Sequence, residues 1–243
     1  MTPEDLVAAA CPPIADLGGA FYFQPETVAR GKEYGLDGFR FYFLGRGGVL
    51  GDTSAAVVRS AFGYFNPGLL TKMWDTAKAK LSPTEAAAIY WDACAEMGRS
   101  KLADVPGLDA FVAAADAVIA AADPSGLTLY AGIRQMPFAA DLPGKAMQQI
   151  AVLREFRGSA HLLAVRATGL VDSLAHFIKR PDMVEGFGWK PEDAEAISDA
   201  HRVQLQEAEA LTDRIVAPAY SVLDDAGQRA LVDGLTAITE AVG

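Results

Sequence analysis

The sequence predicts an all-α protein with little β structure, built of two packed helical halves, and three observations carry that prediction. Helix starts recur in which a cap residue is followed by proline, harmless at the first helical position because that N–H has no intrahelical partner. One long segment, Lys145 to Ala167, repeats its apolar residues at helical spacing. No segment alternates apolar and polar residues between hairpin turns.

Thr2-Pro3-Glu4-Asp5 begins the first helix, and Gln24-Pro25-Glu26 begins a second that stops at Gly35. The aromatic run at 39–43 reads as a helix, and Gly45 to Gly51 after it as a flexible turn. It resembles a phosphate-binding loop only superficially, since it lacks the lysine and follows a helix instead of a strand. Asn66-Pro67 starts a helix to about Lys80. Ser82-Pro83-Thr84-Glu85 has capping-box spacing and launches an Ala-rich helix to about Leu102. Leu108, Phe111, Val112, Ala115, Val118, Ile119 and Ala122 keep one helical face, which Asp123-Pro124-Ser125-Gly126 ends. A short helix to about Gln135 follows.

Residues 137–144, with Pro137, Pro143 and Gly144, form the boundary between an N-terminal half, 1–140, and a C-terminal half, 141–243. Beyond it Ile150, Leu153, Phe156, Ala160, Leu163, Ala164 and Ala167 mark a long, largely buried helix. Gly169-Leu170 breaks it, a helix to about Lys179 follows, and Arg180 to Trp189 forms a loop. Lys190-Pro191-Glu192-Asp193 is expected to start a helix reaching Val216, and Asp224 to start the last one. The apolar face of that last helix, Leu231, Leu235 and Ile238, either pairs with a second copy to give a homodimer or docks internally.

With 51% apolar and 21% charged residues, composition is that of a folding globular chain. No apolar stretch has the length of a membrane span, and the acidic start at Glu4-Asp5 lacks the basic stretch of a signal peptide. A soluble, cytoplasmic protein with no membrane partner is therefore expected. Two distant cysteines, Cys11 and Cys94, suggest neither disulfide framework nor metal site. A formal charge of −10 repels phosphate backbones.

Several short segments carry a resemblance: Phe23-Gln24-Pro25-Glu26, Gly35-Leu36-Asp37-Gly38-Phe39, Gly45-Arg46, Phe65-Asn66-Pro67, Arg157-Gly158-Ser159-Ala160-His161 and Gly188-Trp189. Together they resemble a family of actinobacterial hypothetical proteins labelled helix-turn-helix or SalK-like. The resemblance covers most of the chain. It implies a mostly helical fold whose second half is distantly winged-helix-like, and it brings no established activity. A two-stranded wing is expected after the Gly-Trp motif. Here Gly188-Trp189-Lys190-Pro191-Glu192-Asp193 runs almost directly into Ile197-Ser198-Asp199, so the wing should be shortened or lost. Asp193, Glu195 and Asp199 crowd the element that would read DNA, where arginine and lysine would be needed, and this argues against DNA as a partner.

Candidate site residues begin with aromatics. Of 12 Phe and 7 Tyr, eleven fall between residues 21 and 65. Ordinary core packing explains such a cluster; so does an aromatic-lined pocket for a flat or apolar small molecule, with Arg40 or Arg46 for an anionic group. On a helix Phe39 and Phe43 share one face, and Tyr42 and Arg46 another. Tyr22, Phe39, Arg40, Tyr42, Phe43, Arg46, Phe65, Arg157 and His161 are thus the candidate ligand-binding residues. His161 is either a hydrogen-bonded core residue or a pocket group, serving as catalytic acid/base, ligand orienter or axial ligand to a macrocycle. His176 lies one helix later and could face it; His201 reads as solvated. No His pair has zinc spacing and no Glu-x-x-His occurs, so no metal is indicated and the cofactor stays unknown. There is no Gly-x-Ser-x-Gly elbow. Glu192, Asp193, Glu195, Glu207 and Glu209 read as a solvated helix face.

Overall fold

The computed structural model describes residues 1–193 and 197–243, which leaves Glu195 outside the described residues. Among them the chain forms twelve α-helices and no strand. The all-α expectation holds, and the wing implied by the resemblance is not formed there. No described helix is long and apolar enough to cross a membrane.

The proline-led starts fall where the caps place them. Helix α1 (Pro3–Leu17) opens on Thr2, whose Oγ1 accepts from Asp5 N at 3.1 Å while Asp5 Oδ2 accepts from Thr2 N at 3.1 Å. Helices α2 (Pro25–Glu33) and α3 (Gly38–Gly47) follow, α3 capped by Asp37. Helix α4 (Ala55–Phe62) has no counterpart in the sequence expectations, although Ala55, Val58, Ala61 and Phe62, its buried residues, keep helical spacing. Asn66 caps α5 (Pro67–Lys78) and Ser82 caps α6 (Pro83–Lys101). Then come α7 (Leu108–Ala121) and the short α8 (Thr128–Ile133).

Helix α9 (Leu142–Ala167) begins three residues before Lys145, because Asp141 Oδ1 caps Gly144 N at 2.8 Å. It runs through the middle of the fold, packed on α1, α6, α7 and α8 and on two helices that follow it in the chain, Asp172–Lys179 and Asp199–Tyr220. A helix buried on so many sides must satisfy its polar groups internally. Gln148 donates to Trp91 O at 3.0 Å and accepts from Ala139 N at 2.7 Å; Gln149 donates to Val112 O at 3.1 Å and Asp116 Oδ1 at 2.7 Å. Toward its end the buried face turns to Ala164 and Val165, leaving Leu163 and Ala167 exposed, contrary to the expected stripe.

Helices α10 (Asp172–Lys179), α11 (Asp199–Tyr220) and α12 (Asp225–Val242) complete the chain. The expected helix start at Lys190 is corrected: Pro191–Asp193 is a short 3-10 turn, and α11 starts at Asp199 with Ser198 as cap. His201 is the reciprocal partner of that cap, its Nδ1 accepting from Ser198 N at 3.2 Å. The apolar face of α12 is internal, since Leu231, Leu235 and Ile238 are buried and the helix packs on α1 and α7. That face is not free to pair with a second copy.

The main apolar core draws side chains from Leu6 to Ile238, and a smaller cluster joins the end of α9 to α10 and α11 through Val165, Leu174, Phe177 and Leu205. Gly45 to Gly51 is no flexible loop. It is the last turn of α3 followed by a 3-10 turn, Gly48–Leu50, packed on α6. The glycine is needed because α3 and α6 touch: a Cβ at Gly45 would lie 2.5 Å from Tyr90 Cβ. Gly45→Ala should therefore overpack this contact and cost about 1–3 kcal/mol, read as a melting point lower by several degrees.

Candidate functional site

A carboxylate in the middle of α9 organises the site. Glu155 is 1% exposed and lies between two arginines. Arg46, at the end of α3, grips it with two bonds, Nε to Oε1 at 2.8 Å and Nη2 to Oε2 at 2.8 Å. Such a bidentate pair is the strong form of guanidinium–carboxylate contact. Arg154 Nη1 reaches Oε1 at 3.0 Å, and Tyr22 donates its hydroxyl to the same oxygen at 2.9 Å. Arg46 Nη1 also donates to Tyr42 Oη at 3.0 Å, as the i, i+4 spacing of α3 allows. Burial opposes the charge on Glu155, but Arg46 and then Arg154 outweigh it and hold the carboxyl at about 2.

Beside this cluster opens a cavity of about 270 Å³. Its lining includes Tyr42, Arg46, Phe62 and Tyr64 from before residue 140 and Arg157, His161, His176 and Phe187 from after it. An apolar cavity of about 150 Å³ holds a benzene molecule, so this one has room for about two rings.

Tyr64 is the wall between the histidines. It is the one non-glycine residue among those described with positive φ, +35°, following Gly63 at +56°. A strained backbone of this kind persists only where surroundings enforce it. Here they do. Trp189 Nε1 donates to Tyr64 O at 2.7 Å, Asn66 N donates to Phe187 O at 2.8 Å, and Phe65 stacks on Phe187 with centroids 4.1 Å apart. The Phe65-Asn66-Pro67 and Gly188-Trp189 motifs are thus two sides of one junction that aims Tyr64. Its ring lies 6.4 Å from that of His161 and 6.3 Å from that of His176.

His161 Nδ1 is 3.0 Å from Thr212 Oγ1. The Thr212 hydroxyl spends its proton on Ala208 O at 2.6 Å, so the network assigns the proton of neutral His161 to Nδ1. Nε2 is left with a free lone pair, 3.7 Å from Glu209 Oε1. Burial is the main reason the imidazole is held down to about 4, with the opposing pull of Glu209 smaller and the nearby cations Lys179 and Arg157 adding to the depression. His176 is also lowered to about 4, again chiefly by burial. Both are neutral at pH 7.

Arg157 donates through Nη2 to Glu209 Oε2 and Asp213 Oδ1, each at 3.0 Å. Glu209 also holds Lys179, so it is no solvated face residue as the sequence suggested. Five buried side-chain polar atoms among the described residues lack a hydrogen-bond partner, and three of them belong to residues of this cavity: Tyr64 Oη, Arg157 Nε and His176 Nε2. Buried polar groups are almost always paired, so three unpartnered atoms in residues that line one cavity are an unusual concentration.

The structure brings Tyr42, Arg46, Arg157 and His161 to the cavity wall, with Tyr22 behind them on Glu155. Phe43 is fully buried in the core, and Phe65 is buried behind Phe187. Phe39 is 40% exposed and packs on Phe23. Arg40 is held by its own cap, Asp37, and by Thr76, away from the cavity. Of the two arginines considered for an anion, only Arg46 is therefore at the site. The sequence reading passed over Arg154, Tyr64 and Phe187. The charged run Arg154-Glu155-Phe156-Arg157 inside an apolar helix was the available signal for the first.

A profile of the helix-turn-helix family matches residues 8–243, nearly the whole chain. No curated protein and no solved structure matches it.

Two stability tests follow from these charges. Glu155→Gln strands two guanidinium groups beside a neutral amide and should cost about 3–5 kcal/mol in denaturant unfolding. Each histidine has a folded pKa near 4 against an ordinary 6.5, so the unfolded state binds the extra proton in that window and stability falls as pH drops from 6.5 to 4. Each contributes at most about 1.4 kcal/mol per pH unit. His161→Gln should remove about half of the histidine-dependent slope.

Proposed function

We propose that this protein, which belongs to the helix-turn-helix family, binds a small aromatic or apolar molecule between its two halves, 1–140 and 141–243, as a sensor, carrier or enzyme of secondary metabolism. One observation carries the proposal: a cavity for about two rings, walled by aromatic side chains, gathers three of the five unpartnered buried polar atoms among the described residues. Tyr42, Tyr64 and Phe187 supply walls, Arg46 and Arg157 supply charge, and His161 orients the guest through Nε2. If a reaction occurs there, that lone pair is the base, neutral at physiological pH and fixed by Thr212. Kinship with the narrower SalK-like, actinobacterial group belongs to the same proposal. It is supported by the short motifs the sequence shares with that group, of which Arg46, Arg157, Gly158, Ser159 and His161 line the cavity.

The second reading, a winged-helix-type transcriptional regulator, is compatible with the family match. The charge of −10 weighs against it, as does α11, where Arg202 and Arg214 face Asp199, Glu207, Glu209 and Asp213 along one helix.

Screening a broad set of aromatic and apolar metabolites by thermal shift tests the first reading. A true ligand at about 100 times its Kd adds about 2.7 kcal/mol, a rise of roughly 5–10 °C for a chain of this size. A flat response across the set would sink it. For the second, fluorescence anisotropy with random duplex DNA should show no binding at 50 mM salt. Binding there that weakens about a thousandfold by 200 mM would instead establish a phosphate-contacting regulator.

A further inference from the structure

The chain is acidic, yet its cavity is not. Five cationic side chains line it, Arg46, Arg154, Arg157, Lys179 and Arg180, against a single lining carboxylate, Glu155. Three of the five are balanced by carboxylates outside the wall: Arg157 and Lys179 share Glu209 and Asp213, and Arg180 lies 3.7 Å from Asp182. Asp172, the other acid close to Tyr64, pairs with Arg166 at 3.3 Å. What remains is the Arg46–Glu155–Arg154 cluster, two guanidinium groups on one carboxylate, with one positive charge uncompensated. Arg46 spends its bonds on Glu155 and Tyr42. Arg154 uses Nε on Ala15 O and Nη1 on Tyr22 and Glu155, and its Nη2 donates to no described residue.

Water reaches Arg154, whose side chain is 29% exposed, and a guest that displaces this water leaves the positive charge costly unless it brings an anion. Phe62 lies under this charge, with Arg46 Cζ 4.3 Å from the ring centroid, so the polar end runs directly into the aromatic wall. Resting on the pocket reading above, we infer that the guest is an aromatic monocarboxylate of about two rings, its carboxylate against Arg154 and Arg46 and its ring along Phe62 and Tyr64. A second carboxylate on the guest has no free cation to meet. A neutral molecule of the same shape leaves the cluster charge unanswered.

The probe pair is 2-naphthoate and 2-naphthamide, equal in shape and different in charge, titrated calorimetrically into the full chain at neutral pH and low salt. The naphthoate should bind at least tenfold more tightly. Arg154→Gln leaves the neutral Arg46–Glu155 pair in place and should erase that preference, while the melting curve reports whether the variant is folded. Equal or tighter binding of the amide to the native chain overturns the charge assignment and leaves the pocket reading standing. Failure of both probes to bind overturns the inference and counts against the pocket reading too. A preference that survives in folded Arg154→Gln removes Arg154 from the role assigned to it.

Discussion

A buried glutamate that must stay charged is the constraint on which this structure depends. Glu155 sits in a helix packed on six others, where an unpaired carboxylate would cost several kcal/mol. Arg46 from α3, Arg154 from the neighbouring position and Tyr22 from the segment before α2 all converge on it. Those bonds fix the register of α3 against α9. They also explain why a glycine precedes Arg46: α3 must approach α6 closely enough at Tyr90 for the arginine to reach inward.

Charge at this point also shapes the cavity. One carboxylate is shared by two guanidinium groups, so the core interaction that joins the helices leaves a positive edge facing the open space. On the far side, His161 and His176 stay neutral because burial disfavours their protonation. The cavity thus combines the uncompensated charge beside Glu155 with two neutral histidines and with cations already paired to Glu209, Asp213 and Asp182, inside a chain with net charge −10.

The aromatic end is held by backbone geometry. Tyr64 carries the positive φ that its neighbours enforce through Trp189 and Phe187. Phe187 belongs to the short 3-10 turn Glu185–Phe187, so the shape of the cavity depends on how residues 185–189 are held on Tyr64, Phe65 and Asn66 by stacking and two hydrogen bonds.

Caps, prolines and apolar periods are local signals, and they were enough to determine the helical class and most helix starts. They also determined that Tyr42 and Arg46 share a face, since four residues along a helix is a fixed geometry. They failed at Lys190, where a good N-terminal signal gave only a 3-10 turn, and at α4, whose apolar spacing was overshadowed by the aromatics around it. Tertiary structure alone decided that Arg40 is held by Asp37 and Thr76 while Arg46 turns inward, that Glu209 pairs with Arg157 and Lys179, and that Glu155 joins two arginines. Contacts such as Arg46 to Glu155 span over a hundred positions of chain, and no local pattern encodes a partner at that distance; only the packing of α3 on α6 and of α6 on α9 brings the charges together.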